Sequence, residues 1–221
     1  YEFVDQDGID TNADASTLKT RLTYKSASFN GLTALLEVDN VTLVGSESYR
    51  TPSNGKIGYP IVADPDGTDV NQASLTYKND GYRAILGRQR ILHSGQRFVG
   101  GVGWRQNEQT YDAFTLSSKS LGPVAIDYSY IWDVNRIFGP KDSAAQPKRW
   151  ESDSHILLAA MSPAKGHSVK GYAYLLDFAD ATANSSSTYG IEYRGKFEGF
   201  VLDAAYATQS DYAENPISYD A

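Results

Sequence analysis

The chain of 221 residues contains no cysteine. That removes disulfide frameworks, thiolate metal sites and cysteine nucleophiles in one step. Its three histidines, His93, His155 and His167, show no metal-ligand spacing, and neither a G-x-S-x-G elbow nor a P-loop occurs, so the chain reads as a non-enzyme. No apolar run approaches the roughly 20 residues that a membrane-spanning helix needs. The first residues, YEFVDQDGID, lack the charged, apolar and small-residue zones of a signal peptide. For an exported protein this leads to the expectation that the sequence starts inside a longer chain. Basic blocks are missing too: 20 Lys and Arg against 27 Asp and Glu leave a net charge of −7, which excludes a general nucleic-acid binder.

What is present points to strands. The 16 tyrosines, 3 tryptophans and 19 glycines form an inventory suited to pleated surfaces and interfacial girdles. Period-two alternation recurs along the chain. Leu18, Leu22 and Tyr24 share a parity while Lys19, Arg21 and Lys25 take the other. Leu32, Ala34, Leu36 and Val38 oppose Glu37 and Asp39; Val124, Ile126, Tyr128, Tyr130 and Trp132 alternate with Asp127, Ser129 and Asp133. Tyr189, Ile191 and Tyr193 alternate with Glu192 and Arg194, and Phe200, Leu202, Ala204 and Tyr206 with Asp203.

Connection lengths alternate as well. Short turns fall near Asn30-Gly31, Asn79 to Gly81, Leu121 to Pro123, Pro163 to Gly166 and Gly195 to Gly199. Longer polar stretches lie near Asp5 to Ser16, Gly45 to Val70, His93 to Thr110, Asn135 to Ser154 and Ala179 to Ser187. A short-long rhythm is the mark of an up-and-down transmembrane β-barrel with brief periplasmic turns and extended outer loops. The expected fold is therefore all-β and antiparallel, a single barrel domain over residues 1–221. About eleven strands are expected, an odd and unclosed part of a larger barrel of roughly 16–18 strands, truncated at both ends.

Several blocks resemble the alginate-export family of outer-membrane porins in a diverged, marine-type form. They are YEFVDQDGID at the start, YPIVADPDGTDVNQA at Tyr59 to Ala73, LGRQRI at Leu86 to Ile91, QRFVGGVGWRQNEQTYDAF at Gln96 to Phe114 and VNRIFGP at Val134 to Pro140. GWRQNEQTYDA is the most specific of them, and beyond about Glu151 the likeness is one of pattern. The resemblance implies a monomeric barrel in the bacterial outer membrane, in contact with lipid. It also implies passage of polar or anionic small solutes or oligosaccharides without a cofactor. It does not imply alginate itself, since the basic lumen of the family's name-giving members is not matched by a net acidic chain.

The inward parity carries the candidate pore lining: Lys19, Arg21, Glu37, Asp39, Asp127, Glu192, Arg194 and Asp203, charges of both signs that set a transverse field in a water-filled lumen. Arg88, Arg90, Arg97 and Arg105, with Arg136 from a later block, form the candidate constriction, and Glu108 and Asp112 are their candidate partners. The glycine-rich stretch Gly95 to Gly103 suits a connection folded inward as an eyelet. The equal alternative is a network that pins a long loop to the wall. Leu86 shares the parity of Arg88 and Arg90, so a local irregularity is expected there.

Asp5, Asp7 and Asp10, and again Asp64, Asp66 and Asp69, share the spacing D-x-D-G-x-D. Carboxylates around a tight glycine turn suit calcium, although neither set matches an EF-hand and solvated turns are the commoner use of such residues. The alternative reading from another class is a soluble or surface-exposed β-rich carbohydrate-binding module with Tyr and Trp as sugar platforms. Aromatics pointing outward at two heights favour the pore. Aromatics filling a core between two sheets favour the module.

Overall fold

A computed structural model describes residues 1–143 and 146–221. Eleven strands follow one another: β1 (Glu2–Val4), β2 (Ala13–Lys25), β3 (Leu32–Ser48), β4 (Gly67–Lys78), β5 (Tyr82–Gln89), β6 (Thr110–Leu121), β7 (Val124–Asn135), β8 (Arg149–Met161), β9 (His167–Leu176), β10 (Ser186–Phe197) and β11 (Phe200–Asp211). All pair antiparallel with their sequence neighbours in one eleven-stranded sheet, with β1 and β11 at its edges. Among the described residues the strands form one sheet, not the two facing sheets expected of a carbohydrate-binding module. This is the wall of an up-and-down barrel, unclosed.

The long loops are shorter than the sequence suggested. β3 runs on to Ser48, β8 starts at Arg149 and β2 starts at Ala13. Polar residues such as Ser46, Glu47 and Glu151 read as loop because they are not apolar on either parity. A strand whose upper end stands clear of the apolar band needs no apolar face, so the ladder continues through them.

The two faces differ chemically. Leu22, Tyr24, Leu36, Leu75, Leu86, Phe114, Leu116, Leu157, Ile191 and Tyr206 are exposed and share one face through the cross-strand register. Exposed aromatics gather beside the short turns, at Tyr24, Phe29, Tyr77, Tyr82, Phe197 and Phe200. A second set lies further along the strands, the exposed Tyr189 and Tyr206 with the half-buried Tyr130 and Trp132. Tyr189 and Phe197 share a face of β10 about 26 Å apart along the strand at ~3.3 Å per residue. That spacing matches the height of the apolar band of an outer-membrane barrel, about 25 Å, before strand tilt is counted.

The core lies on the other, inner face. The connection between β5 and β6, residues 90–109, folds back over it. Ile91 and Val99 of this loop are buried among Ala113, Ile131, Ile156, Tyr172 and Tyr174, which project inward from β6 to β9. Tyr172 and Tyr174 stack with ring centroids 4.7 Å apart, and Phe98 of the loop packs near both. Gly190 makes room for them: a Cβ there would overlap the Tyr172 ring. Gly190→Val is therefore expected to cost about 1–3 kcal/mol, as other overpacked interiors do. The check is a lower melting temperature in the heat-dependent gel mobility of the folded protein. An unchanged transition would show that Tyr172 moves freely aside.

Candidate functional site

The loop over 90–109 is held at its two ends by charge. Arg90 follows β5 directly, and Glu108 lies just before β6. They meet in a two-pronged pair, Arg90 Nε to Glu108 Oε2 at 2.6 Å and Nη2 to Oε1 at 2.5 Å. The wall supplies the rest. Arg21 on β2 donates to both oxygens of Asp39 on β3 at 2.7 and 2.6 Å and also reaches Glu108. Arg90 also donates to Glu37. Asn71 donates to Glu37 and to Glu108, each at 2.7 Å. Lys19 Nζ stands 3.2 Å from Asp39. Asn71 occupies this position because β4 carries a bulge here: Glu37 pairs with Gln72 and Val38 with Val70, which leaves Asn71 as the extra residue.

Three cations, Lys19, Arg21 and Arg90, thus balance three carboxylates, Glu37, Asp39 and Glu108, and the carboxylate side chains are nearly buried. Burial raises the Glu108 pKa, but the hydrogen bonds and charge of Arg90, with Arg21 and Asn71 behind them, outweigh it and hold the carboxyl at about 2. The same pair raises the pKa of Arg90. A carboxyl depressed in the folded state adds stability above its unfolded pKa, ordinarily about 4.3, and loses it as pH falls toward the folded value. The Arg90–Glu108 attachment is accordingly expected to weaken between about pH 4 and pH 2, and this pair to be insensitive to pH above that window. Protease susceptibility within residues 94–104 after brief exposure across this range is the check. Release that begins near neutrality would point to a different group.

Two further contacts fasten the loop. Arg105 pairs with Glu2 at 2.6 Å and lies 3.6 Å from Asp64, whose carboxylate also accepts the Gln106 N–H at 3.0 Å. Burial raises the Asp64 pKa, opposed by those two donors. On the opposite side, His93 Nε2 stands 3.5 Å from Asp127 Oδ1, and Ser117 donates to the other Asp127 oxygen at 2.6 Å.

The arginines that the sequence groups as one cluster are dispersed. Arg90 enters the six-charge network and Arg105 ties the loop to β1 and the 49–66 connection. Arg97 is exposed on the loop. Arg136 stacks over Trp150 at 3.9 Å and donates to the Pro147 carbonyl at 2.9 Å. Arg88 pairs with Asp112 at 2.8 and 3.0 Å. Both share the parity of Leu86 and Phe114 rather than that of the inner face. Gly87 sits between these environments with φ of 110°, and a Cβ there would collide with the Ala73 carbonyl oxygen. Arg88 still borders a cavity of about 730 Å³ above the end of β5, together with Asp39, Asn71, Glu108 and Arg136.

Glu192, Arg194 and Asp203 lie on the inner face with Lys170, a residue that sequence reasoning misses. Glu192 faces Lys170 at 3.7 Å and Arg194 faces Asp203 at 3.3 Å. The inward Tyr172 and Tyr174 are missed as well. Their parity with Lys170 is legible, but not the loop that buries them. The acidic turns are otherwise engaged: Asp64 with Arg105 and Gln106, Asp66 with Lys141 at 2.9 Å, and Asp69 with its neighbour's N–H at 2.8 Å. Among the described residues no group of three or more His, Cys, Asp or Glu is placed to hold a metal ion, and Asp5, Asp7 and Asp10 join none.

A barrel wall with an apolar outer face, a charged inner face and a connection folded across the interior has the fold of outer-membrane porins. Solved structures agree. The chain aligns with OccAB4 of Acinetobacter baumannii at a TM-score of 0.72 and 15% identity, over 99% of this chain and 58% of that one. It aligns with OccK9 (OpdG) of Pseudomonas aeruginosa at 0.66 and 15%, over 95% and 54%. OpdK of Pseudomonas aeruginosa, solved with vanillate, aligns at 0.65 and 14%, over 94% and 55%. The chain thus spans a little over half the length of these proteins. No family model and no curated protein matches the sequence.

Proposed function

We propose that the chain is part of the wall of a bacterial outer-membrane channel, through which small polar or anionic solutes or oligosaccharides pass passively. The observation that carries this is the opposite chemistry of the two faces of one sheet. Exposed Leu, Ile and aromatic side chains line the outside, where only lipid satisfies them, while paired charges line the inside, where water does. Further strands close the barrel, since an unpaired edge does not persist in hydrocarbon. The complete barrel works as a monomer, without a cofactor and without catalysis. The loop over 90–109 narrows the passage, with Arg90 and Glu108 as the posts that hold it.

The blocks that resemble the alginate-export family point to the same broad class, an outer-membrane porin, and the solved structures that the chain aligns with are outer-membrane porins of other names. Alginate is not the solute proposed, because Lys19, Arg21 and Arg90 are each matched by a carboxylate and leave no excess of positive charge for a polyanion. The test is reconstitution of the intact protein in planar bilayers. Stepwise, ohmic increases in conductance are expected. Folded, inserted protein that leaves the bilayer insulating would refute the reading.

A further inference from the structure

Two kinds of charge face the interior. On β2 and β3 they are committed to structure, with Arg90 and Glu108 at 2.5–2.6 Å and the carboxylates nearly buried. On β9 to β11 they are loose. Lys170 and Glu192 stand 3.7 Å apart and Arg194 and Asp203 3.3 Å apart, and the four side chains are between 28 and 60% exposed. Such pairs hold each other weakly and retain most of their attraction for a third charge.

Their arrangement is directional. Glu192 lies opposite Lys170, and Arg194 lies opposite Asp203. In both pairs the cation is on the β9 side and the carboxylate on the β11 side. The second pair is displaced by one strand and two residues, about 7 Å along the strand at ~3.3 Å per residue. The four residues line a cavity of about 460 Å³ whose other side is the loop tip at Ser94 and Gly95. Ser94 Oγ is buried beneath that side and has no hydrogen-bond partner.

Building on the channel reading above, we infer that this ladder selects the solute and favours small zwitterions. A lone ion gains at one end of each pair and is repelled at the other. A neutral solute gains little from either. A zwitterion lying antiparallel to the pair gains at both ends: its cation meets Glu192, then Asp203, and its anion meets Lys170, then Arg194. Because both pairs point the same way, the solute steps from one to the next without turning around.

The test is solute uptake by liposomes containing the intact channel, with γ-aminobutyrate as the zwitterion and arabinose as the neutral reference. The comparison is between the native protein and a variant carrying Lys170→Gln, Glu192→Gln, Arg194→Gln and Asp203→Asn. Two contacts of exposed-pair strength predict a γ-aminobutyrate to arabinose ratio about 3- to 10-fold higher in the native channel. An equal ratio in both proteins overturns the inference. Should the variant not insert, the native channel decides: γ-aminobutyrate, and not arabinose, is expected to interrupt single-channel current, and identical traces overturn the inference. If arabinose passes and the ratio is flat, only the ladder falls. If neither solute passes, the channel reading falls with it.

Discussion

Replacing Glu108 with Gln in the complete channel is expected to raise conductance and current noise and to shift the reversal potential toward anion preference. The amide keeps the size of the side chain and removes its charge, so the balanced set of Lys19, Arg21, Arg90, Glu37, Asp39 and Glu108 changes from zero to one net positive charge. Glu108 is also the post that Arg90, Arg21 and Asn71 hold in common. Removing one partner of a buried pair typically costs about 3–5 kcal/mol, because the other charge is left uncompensated. Loss on that scale frees one end of the loop. Arg90→Gln is the mirror experiment: it frees the same loop and leaves one net negative charge, so noise rises again while selectivity moves toward cations. Opposite shifts from the two variants identify a charged lining beside a pinned loop. Shifts of the same sign, or none, would place the network away from the conducting path.

The second large effect concerns the outer face. Leu86 lies between Leu75 and Phe114 in a row of exposed apolar side chains. Leu86→Arg is expected to cost about 2–4 kcal/mol if that row faces the bilayer midplane. Ala205→Arg places the same side chain on the inner face, opposite Glu192, and is expected to stay within about 0.5 kcal/mol, as substitutions away from packed features do. The measurement is folding into lipid vesicles against denaturant. Equal costs at the two positions would mean that both faces meet the same solvent.

Much of the fold is legible in the amino-acid sequence alone. β10 shows why: lipid on one side and water on the other impose period two, so Tyr189, Ile191 and Tyr193 separate cleanly from Glu192 and Arg194. The short-long rhythm reveals the strand order for the same reason, since turns on one side and loops on the other have different work to do. The illegible parts are those where a third element intervenes. Ile131, Ile156, Tyr172 and Tyr174 make the inner face of β7 to β9 apolar because the loop docks there. Parity on β8 and β9 therefore does not announce which face is which, whereas Asp127 and Ser129 still mark the inner face of β7. The bulges that place Asn71 and Trp132 out of step carry no flag of composition. Arg88 and Arg90 are two residues apart and look alike, yet β5 ends between them at Gln89. One finishes in the wall and the other in the loop network.

The central claim, that one face of this sheet meets lipid and the other meets water, is best tested on β10. These 221 residues contain no cysteine, so Ile191→Cys, Glu192→Cys, Tyr193→Cys and Arg194→Cys each provide a unique label within them in the intact, membrane-embedded protein, once any cysteine elsewhere in it has been replaced by serine. The account predicts that labels at 191 and 193 are quenched by nitroxide lipids, whereas thiols at 192 and 194 react with a membrane-impermeant reagent. Loss of that alternation, with all four positions equally open to water or equally closed to it, would contradict it.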